Sequence, residues 1–173
     1  MNHFRLFDIT VSFLPDEQLI RQRYFTLSKK YHPDFAATLP PQEQMQTLQH
    51  ATAVNKAYQV LSNFDRRMQY ILMEKGVIQE EGKYNLPPDF LMDMMELSES
   101  AMELRMAPDA EKEVQLKTAL ITRDQQLLDA IMPVLLAYEE AAATETDYAA
   151  IRDFYYKRRY LSRIREQMQA HAG

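Results

Sequence analysis

The sequence predicts an all-α protein, an N-terminal helical hairpin followed by a C-terminal three-helix bundle, on three observations. Glycine occurs only three times in 173 residues, at Gly76, Gly82 and Gly173, too seldom for the hairpin turns that sheets need. Met, Leu, Ala, Glu and Gln are plentiful, and all favour helices. Long stretches repeat their apolar residues at helical spacing, the pattern of helices with one buried face. The apolar fraction of 46% is enough for a real core, and the length suits one medium domain or two small ones.

Phe4, Leu6 and Phe7 make one or two helical turns at the start. Pro15-Asp16-Glu17 opens the next helix with acidic residues suited to its positive end. Ile20, Tyr24, Leu27 and Tyr31 form its buried stripe, and Pro33 ends it. Asp34 to Pro41 reads as a loop. A second long helix starts near Gln42, with Met45, Leu48, Ala51 or Thr52, Asn55, Tyr58 and Leu61 or Ser62 turned inward. The short connection makes the two helices an antiparallel pair. Met68 to Glu74 adds a short helix, stopped by Gly76. The run Gly82-Lys83-Tyr84-Asn85-Leu86-Pro87-Pro88 reads as a linker. Helices over 89–106, 109–142 and 145–170 follow, with Asp109 and Thr144 or Thr146 as N-caps, and Pro133 is expected to kink or divide the second. The predicted division is therefore 1–76, a linker over 77–88, and 89–173.

Composition narrows the function. Without cysteine the chain has no disulfide, thiolate zinc site or cysteine-held cluster, and His3, His50 and His171 are too scattered for metal-ligand spacing. No cofactor and no metal are expected. The first residues lack the basic start and apolar run of a signal peptide, and no stretch is long and apolar enough to span a bilayer. The expectation is a soluble cytoplasmic protein, bacterial rather than mitochondrial. A net charge of −5 disfavours a general nucleic-acid role. Residues 80–113 carry ten acidic and three basic side chains, and 151–167 six basic and two acidic. Such runs are solvated faces, or two helices packed side by side.

The most specific signal is His32-Pro33-Asp34, an HPD motif. A chain of this size contains that tripeptide by chance on the order of 1% of the time. Its setting carries more: Tyr31 stands directly before it, and Arg21, Arg23, Lys29 and Lys30 line the preceding helix. The plain alternative is that His32 and Asp34 only cap a helix and begin a turn. The constellation resembles the J-domain, a helical hairpin that binds DnaK-type chaperones and accelerates their ATP hydrolysis. The resemblance implies that His32, Pro33 and Asp34 dock beside the chaperone's interdomain linker. In physical terms, Pro33 fixes the backbone before binding, Asp34 accepts a charge-assisted bond from a partner arginine, and the basic residues steer the helix toward an acidic surface.

The chain lacks the Gly/Phe-rich stretch and zinc repeats of a general DnaJ-like protein. It resembles instead the HscB type of J-domain co-chaperone, through Phe4-Xaa-Leu6-Phe7, Tyr31 to Asp34 and Asp89-Phe90-Leu91-Met92. That resemblance spans nearly the whole sequence and implies an L-shaped two-domain arrangement, with no enzymatic activity of its own. On the helix after the linker, Phe90, Met94, Leu97, Ala101 and Leu104 form one stripe, which packs. Leu91, Met92, Met95 and Met102, interleaved with Glu96, Glu99 and Glu103, form a second. A second apolar face is a protein-docking patch in which methionine adapts and glutamate sets register, unless a wider bundle takes Met92 and Met95 into its core.

In HscB the matching face binds the iron–sulfur scaffold IscU. The resemblance carries this to Leu91, Met92, Met95, Glu96, Glu99 and Glu103, with Tyr160 on the last helix. It implies a co-chaperone that stimulates a DnaK- or HscA-type ATPase and delivers IscU to it for cluster transfer. Two positions depart from the family pattern: Phe25 stands where many J-domains are basic, and Tyr160 where Phe is expected. The alternatives are a J-protein with a different client, and a nucleic-acid adaptor using Arg158, Arg159, Arg163 and Arg165.

Overall fold

The structure, a computed structural model, describes residues 2–36, 38–79 and 84–169. Among the described residues there are eight helices and no strand. The chain divides into two compact units. The first runs through Gly76 and also takes Tyr138–Ala143; the second holds Val77–Ala137 and the chain from Thr144 onward.

The first unit begins with α1 (His3–Leu6), capped by Asn2, whose side-chain Oδ1 accepts from the Arg5 N–H. α2 (Glu17–Lys30) is capped by Asp16, which accepts from the N–H groups of Gln18 and Leu19. Glu17 lies in its first turn and Lys29 and Lys30 in its last, matching the helix dipole at both ends. α3 (Pro33–Ala36) is one turn long and replaces part of the predicted loop. α4 (Pro41–Leu61) starts with proline at its first position, where the missing N–H breaks no bond.

α5 (Phe64–Glu74) starts four residues before the predicted helix, because Asn63 caps it by accepting from the Arg66 N–H at 2.9 Å. It stops as predicted: Gly76 takes φ +68°, a left-handed conformation that suits glycine after a helix end. α2 and α4 are antiparallel, since Tyr24 meets Tyr58 and Asn55 while Tyr31 meets His50. The core takes Phe4, Phe7, Phe13 and Ile20 from the start of the chain, Val54, Ala57 and Leu61 from α4, and Met68, Ile71 and Leu72 from α5.

This core departs from the expected α4 stripe. Met45 and Leu48 are 58% and 55% exposed, and Asn55 is exposed too. The buried face rotates to Val54 and Ala57, where small side chains let α1 and α2 approach. A second surprise is Arg67, buried to 3% exposure. Its Nε donates to the Phe13 carbonyl at 3.0 Å and its Nη1 to the Leu61 carbonyl. The Tyr138–Ala143 segment belongs to this unit through the edge-on contact of Tyr138 with Phe13 and the ion pair of Glu140 with Lys75.

The second unit holds α6 (Pro88–Met106), α7 (Ala110–Leu136) and α8 (Glu145–Gln169), each packed on the other two. Gly82 and Lys83 of the predicted linker lie outside the described residues, as does the predicted last residue of α8, Ala170. Tyr84 is described: its ring stacks on Tyr156 at 4.6 Å and its hydroxyl donates to Asp153. Asp109 caps α7. Thr144 and Asp147 cap α8 reciprocally: Asp147 N–H donates to the Thr144 hydroxyl, and Thr144 N–H to the Asp147 carboxylate.

α7 is shorter than predicted. It runs through Pro133 without division and ends at Leu136, one turn later. Phe90, Met94, Ala101, Leu116, Leu120, Leu161 and Ile164 form the core of the bundle. Beside it, Asp124 of α7 takes a two-pronged bond from Arg158 of α8 at 2.7 and 3.1 Å, with Arg165 at 3.5 Å.

Candidate functional site

Two surfaces collect the residues singled out from the sequence, one on each unit. The first is the turn after α2. Tyr31 caps that helix, its N–H donating to the Leu27 carbonyl at 3.0 Å. Its ring stacks on His50 of α4 at 4.7 Å and lies under the Lys30 ammonium. The entry to the turn is thus clamped to the neighbouring helix. Pro33 then fixes the backbone as α3 begins.

The Asp34 N–H donates to His32 Nδ1 at 3.3 Å. Because Nδ1 accepts, the neutral ring carries its proton on Nε2. So His32 does cap the one-turn helix, as the plain alternative supposed. That leaves the Asp34 carboxylate, 87% exposed and 3.6 Å from His32 Nδ1, at the surface. The arrangement sets a carboxylate and an imidazole side by side at the surface of the turn.

Arg21, Lys29 and Lys30 are exposed on α2. Arg23 is different, because its guanidinium bonds to Asp8 at 3.0 Å and so ties α2 to the turn after α1. Phe25 is 64% exposed. It stands on α2, about a turn and a half before that helix ends at Lys30. Phe35, Leu39, Met45 and Leu48 are also exposed, on and beyond the turn. The sequence reading missed this apolar fringe. Its signal was present in the very stripe assigned to the core, since residues 45 and 48 extend past the end of the helix they were expected to meet.

The second surface is the outer face of α6. Leu91, Met92 and Met95 are 39%, 71% and 59% exposed, and Glu96, Glu99 and Glu103 are exposed beside them. The bundle therefore does not take Met92 and Met95 into its core; Phe90, Met94 and Ala101 face inward instead. Met102 and Met106 continue the exposed line at 59% and 88%. Glu103 meets Lys112 at 3.4 Å, and Asp93 pairs with Arg123 of α7. Tyr160 is half-buried at the edge of the core, edge-on to Phe90 at 6.0 Å and with its hydroxyl 3.4 Å from Ser98. It supports α6 from beneath more than it extends the face.

Two arginines of the basic cluster of α8 are occupied inside the bundle. Arg158 and Arg165 bond to Asp124, and Arg165 also to the Leu120 carbonyl. Arg159 lies on Tyr155. Burial alone raises the Asp124 pKa, but the Arg158 and Arg165 bonds and charges outweigh it and hold the carboxyl below its ordinary range. Arg159 and Arg163 remain exposed, so two of the four arginines stay at the surface and two are taken up by Asp124. Among the described residues no group of three metal-ligating side chains forms a metal site, and no helix is long and apolar enough to cross a membrane.

A helical hairpin with an exposed His-Pro-Asp turn defines a J-domain protein, and residues 2–70 match the DnaJ domain model. Residues 86–169 match the model described as the HSCB C-terminal oligomerisation domain. A co-chaperone protein HscB homologue of Vibrio vulnificus (strain CMCP6) is 36% identical over 77% of this chain and 84% of its own. The chain belongs to the HscB co-chaperone family. Among solved structures, chaperone HscB from Vibrio cholerae superposes with a TM-score of 0.72 at 26% identity, over 98% of this chain and 96% of that one. Human co-chaperone protein HscB does so with a TM-score of 0.80 at 25% identity, over 98% and 81%.

Proposed function

We propose that this protein stimulates the ATPase of a DnaK- or HscA-type chaperone and delivers an IscU-type iron–sulfur scaffold to it, promoting cluster transfer. In this reading residues 1–76 are the chaperone-binding domain. Asp34, with His32 and Pro33, contacts the ATPase domain, while Arg21, Lys29 and Lys30 steer the encounter. Arg23 acts at one remove, by holding α2 to Asp8. Residues 89–173 hold the scaffold on Leu91, Met92, Met95, Glu96, Glu99 and Glu103, with Tyr160 behind them. Residues 77–88 join the two.

The observation that carries the reading is the outward face of α6 in a chain with an exposed HPD turn. Large apolar side chains exposed in line, and flanked by carboxylates, have the composition of a recognition surface. Binding both partners at once raises their effective concentration for one another. The protein itself needs neither nucleotide nor cluster.

The test is single-turnover ATP hydrolysis by the chaperone with this protein, alone and together with IscU. Stimulation that grows further with IscU is expected. Stimulation indifferent to IscU would leave the J-domain role and favour a different client for α6. No stimulation of either chaperone would remove the assignment of the HPD turn.

A further inference from the structure

The exposed face of α6 is rich in thioether sulfur. Met92, Met95, Met102 and Met106 are 71%, 59%, 59% and 88% exposed. Their spacings of three, seven and four residues keep them on one side of the helix, along a ridge about 21 Å long. Met102 and Met106 are not among the side chains assigned to the scaffold above. The chain has no cysteine, so no thiol of its own competes for an oxidant. Met68 and Met94, each 2% exposed, are shielded in the cores.

We propose that this ridge is a redox-sensitive modification site that controls scaffold docking. The oxidant is a peroxide. A sulfur lone pair attacks one peroxide oxygen, the O–O bond breaks, and hydrogen peroxide leaves as water. One oxygen atom is transferred to each methionine, and sulfur loses the two electrons that the peroxide gains. The product sulfoxide is polar and accepts hydrogen bonds. On this face it sets a polar S–O dipole beside Glu96, Glu99 and Glu103 in place of the apolar surface that the scaffold would cover. A thiol-dependent sulfoxide reductase reverses the change: two of its thiols are oxidised to a disulfide, the sulfoxide is reduced to the thioether, and the oxygen leaves as water. The inference rests on the reading of α6 as the scaffold-docking face.

The experiment treats the full-length protein with hydrogen peroxide, removes the peroxide, and measures IscU affinity by calorimetry. Peptide mass spectrometry locates the sulfoxides. Met92, Met95, Met102 and Met106 are expected to oxidise ahead of Met68 and Met94, with affinity weakened about tenfold or more and restored by sulfoxide reductases. A variant with all four ridge methionines changed to Leu, measured against itself before and after treatment, should keep its own starting affinity through peroxide. Chaperone stimulation without IscU should change little. Unchanged affinity after the ridge is oxidised overturns the proposal, as does a leucine variant that loses affinity on treatment. An untreated protein that does not bind IscU removes the docking reading itself, a result distinct from either of these.

Discussion

Arg67 shows how one residue joins parts of the first unit that are distant in sequence. Its guanidinium, enclosed in the core, bonds to the carbonyls of Phe13 and Leu61. Burial lowers its pKa and the nearby Glu17 charge opposes that shift, yet an arginine starts so high that it stays charged. Arg67→Met leaves two buried carbonyls without their donor. Each such loss costs about 1–3 kcal/mol, so the urea midpoint of the variant should fall by an amount equivalent to about 2 kcal/mol or more. Nothing in the sequence marks this arginine, because a basic residue on an amphipathic helix is ordinarily solvated. His32, Pro33 and Asp34 are the opposite case. Their identities and order point to recognition before any fold is known, and the structure adds the Nδ1 bond that orients the ring.

At the scale of elements, three side-chain caps mark helix starts well, while the Asn63 cap of α5 stands outside the apolar pattern, which starts that helix four residues late. Asp16, Asp109 and Thr144 each accept from a first-turn N–H, and each precedes a helix that begins where the pattern says. Helix ends and faces are less legible. The end of α7 at Leu136 depends on where Tyr138 goes, and it goes to Phe13 of the first unit. Tyr138→Ala should therefore lower the thermal midpoint of the first unit, with the loss of about 1 kcal/mol expected for an aromatic edge contact together with the area it covers. Near-ultraviolet dichroism and a melting curve measure it.

The α7–α8 contact carries its own pH dependence. The folded pKa of Asp124 is depressed, so its contribution is full above the unfolded value of about 3.9 and is lost as pH falls through the lower folded value. Asp124→Asn should be less stable than the unaltered protein at pH 7, and the gap should narrow below about pH 4. Urea unfolding at pH 7, 5 and 3 checks the direction. A gap that widened on acidification would mean that the arginines do not hold this carboxylate in the ionised form.

For the molecule as a whole, the proposed function requires two separable surfaces. Asp34→Asn keeps shape and removes charge, so it should lower ATPase stimulation about 10- to 100-fold, the worth of a charge-assisted bond, while IscU binding stays unchanged. Met92→Ala should weaken IscU binding about tenfold, as truncation of an interface anchor does. Stimulation without IscU should survive it. Parallel calorimetry and single-turnover hydrolysis read both variants. If one substitution abolished both activities with the fold intact, the two-surface arrangement would be wrong.

The sequence by itself determined the helical class, the number and order of the long helices, the HPD turn and the division of α6 into an inward and an outward stripe. All of these depend on local spacing, capping and residue type, which act within a few turns of chain. Only the tertiary structure decided which face of α4 is buried, that Arg23 holds Asp8 rather than standing free, that Arg158 and Arg165 close on Asp124, and that Tyr138–Ala143 joins the first unit. Each of these depends on side chains far apart in sequence meeting across a core. A helical period names a face, but packing with the partner helix decides which of two adjacent stripes that face is.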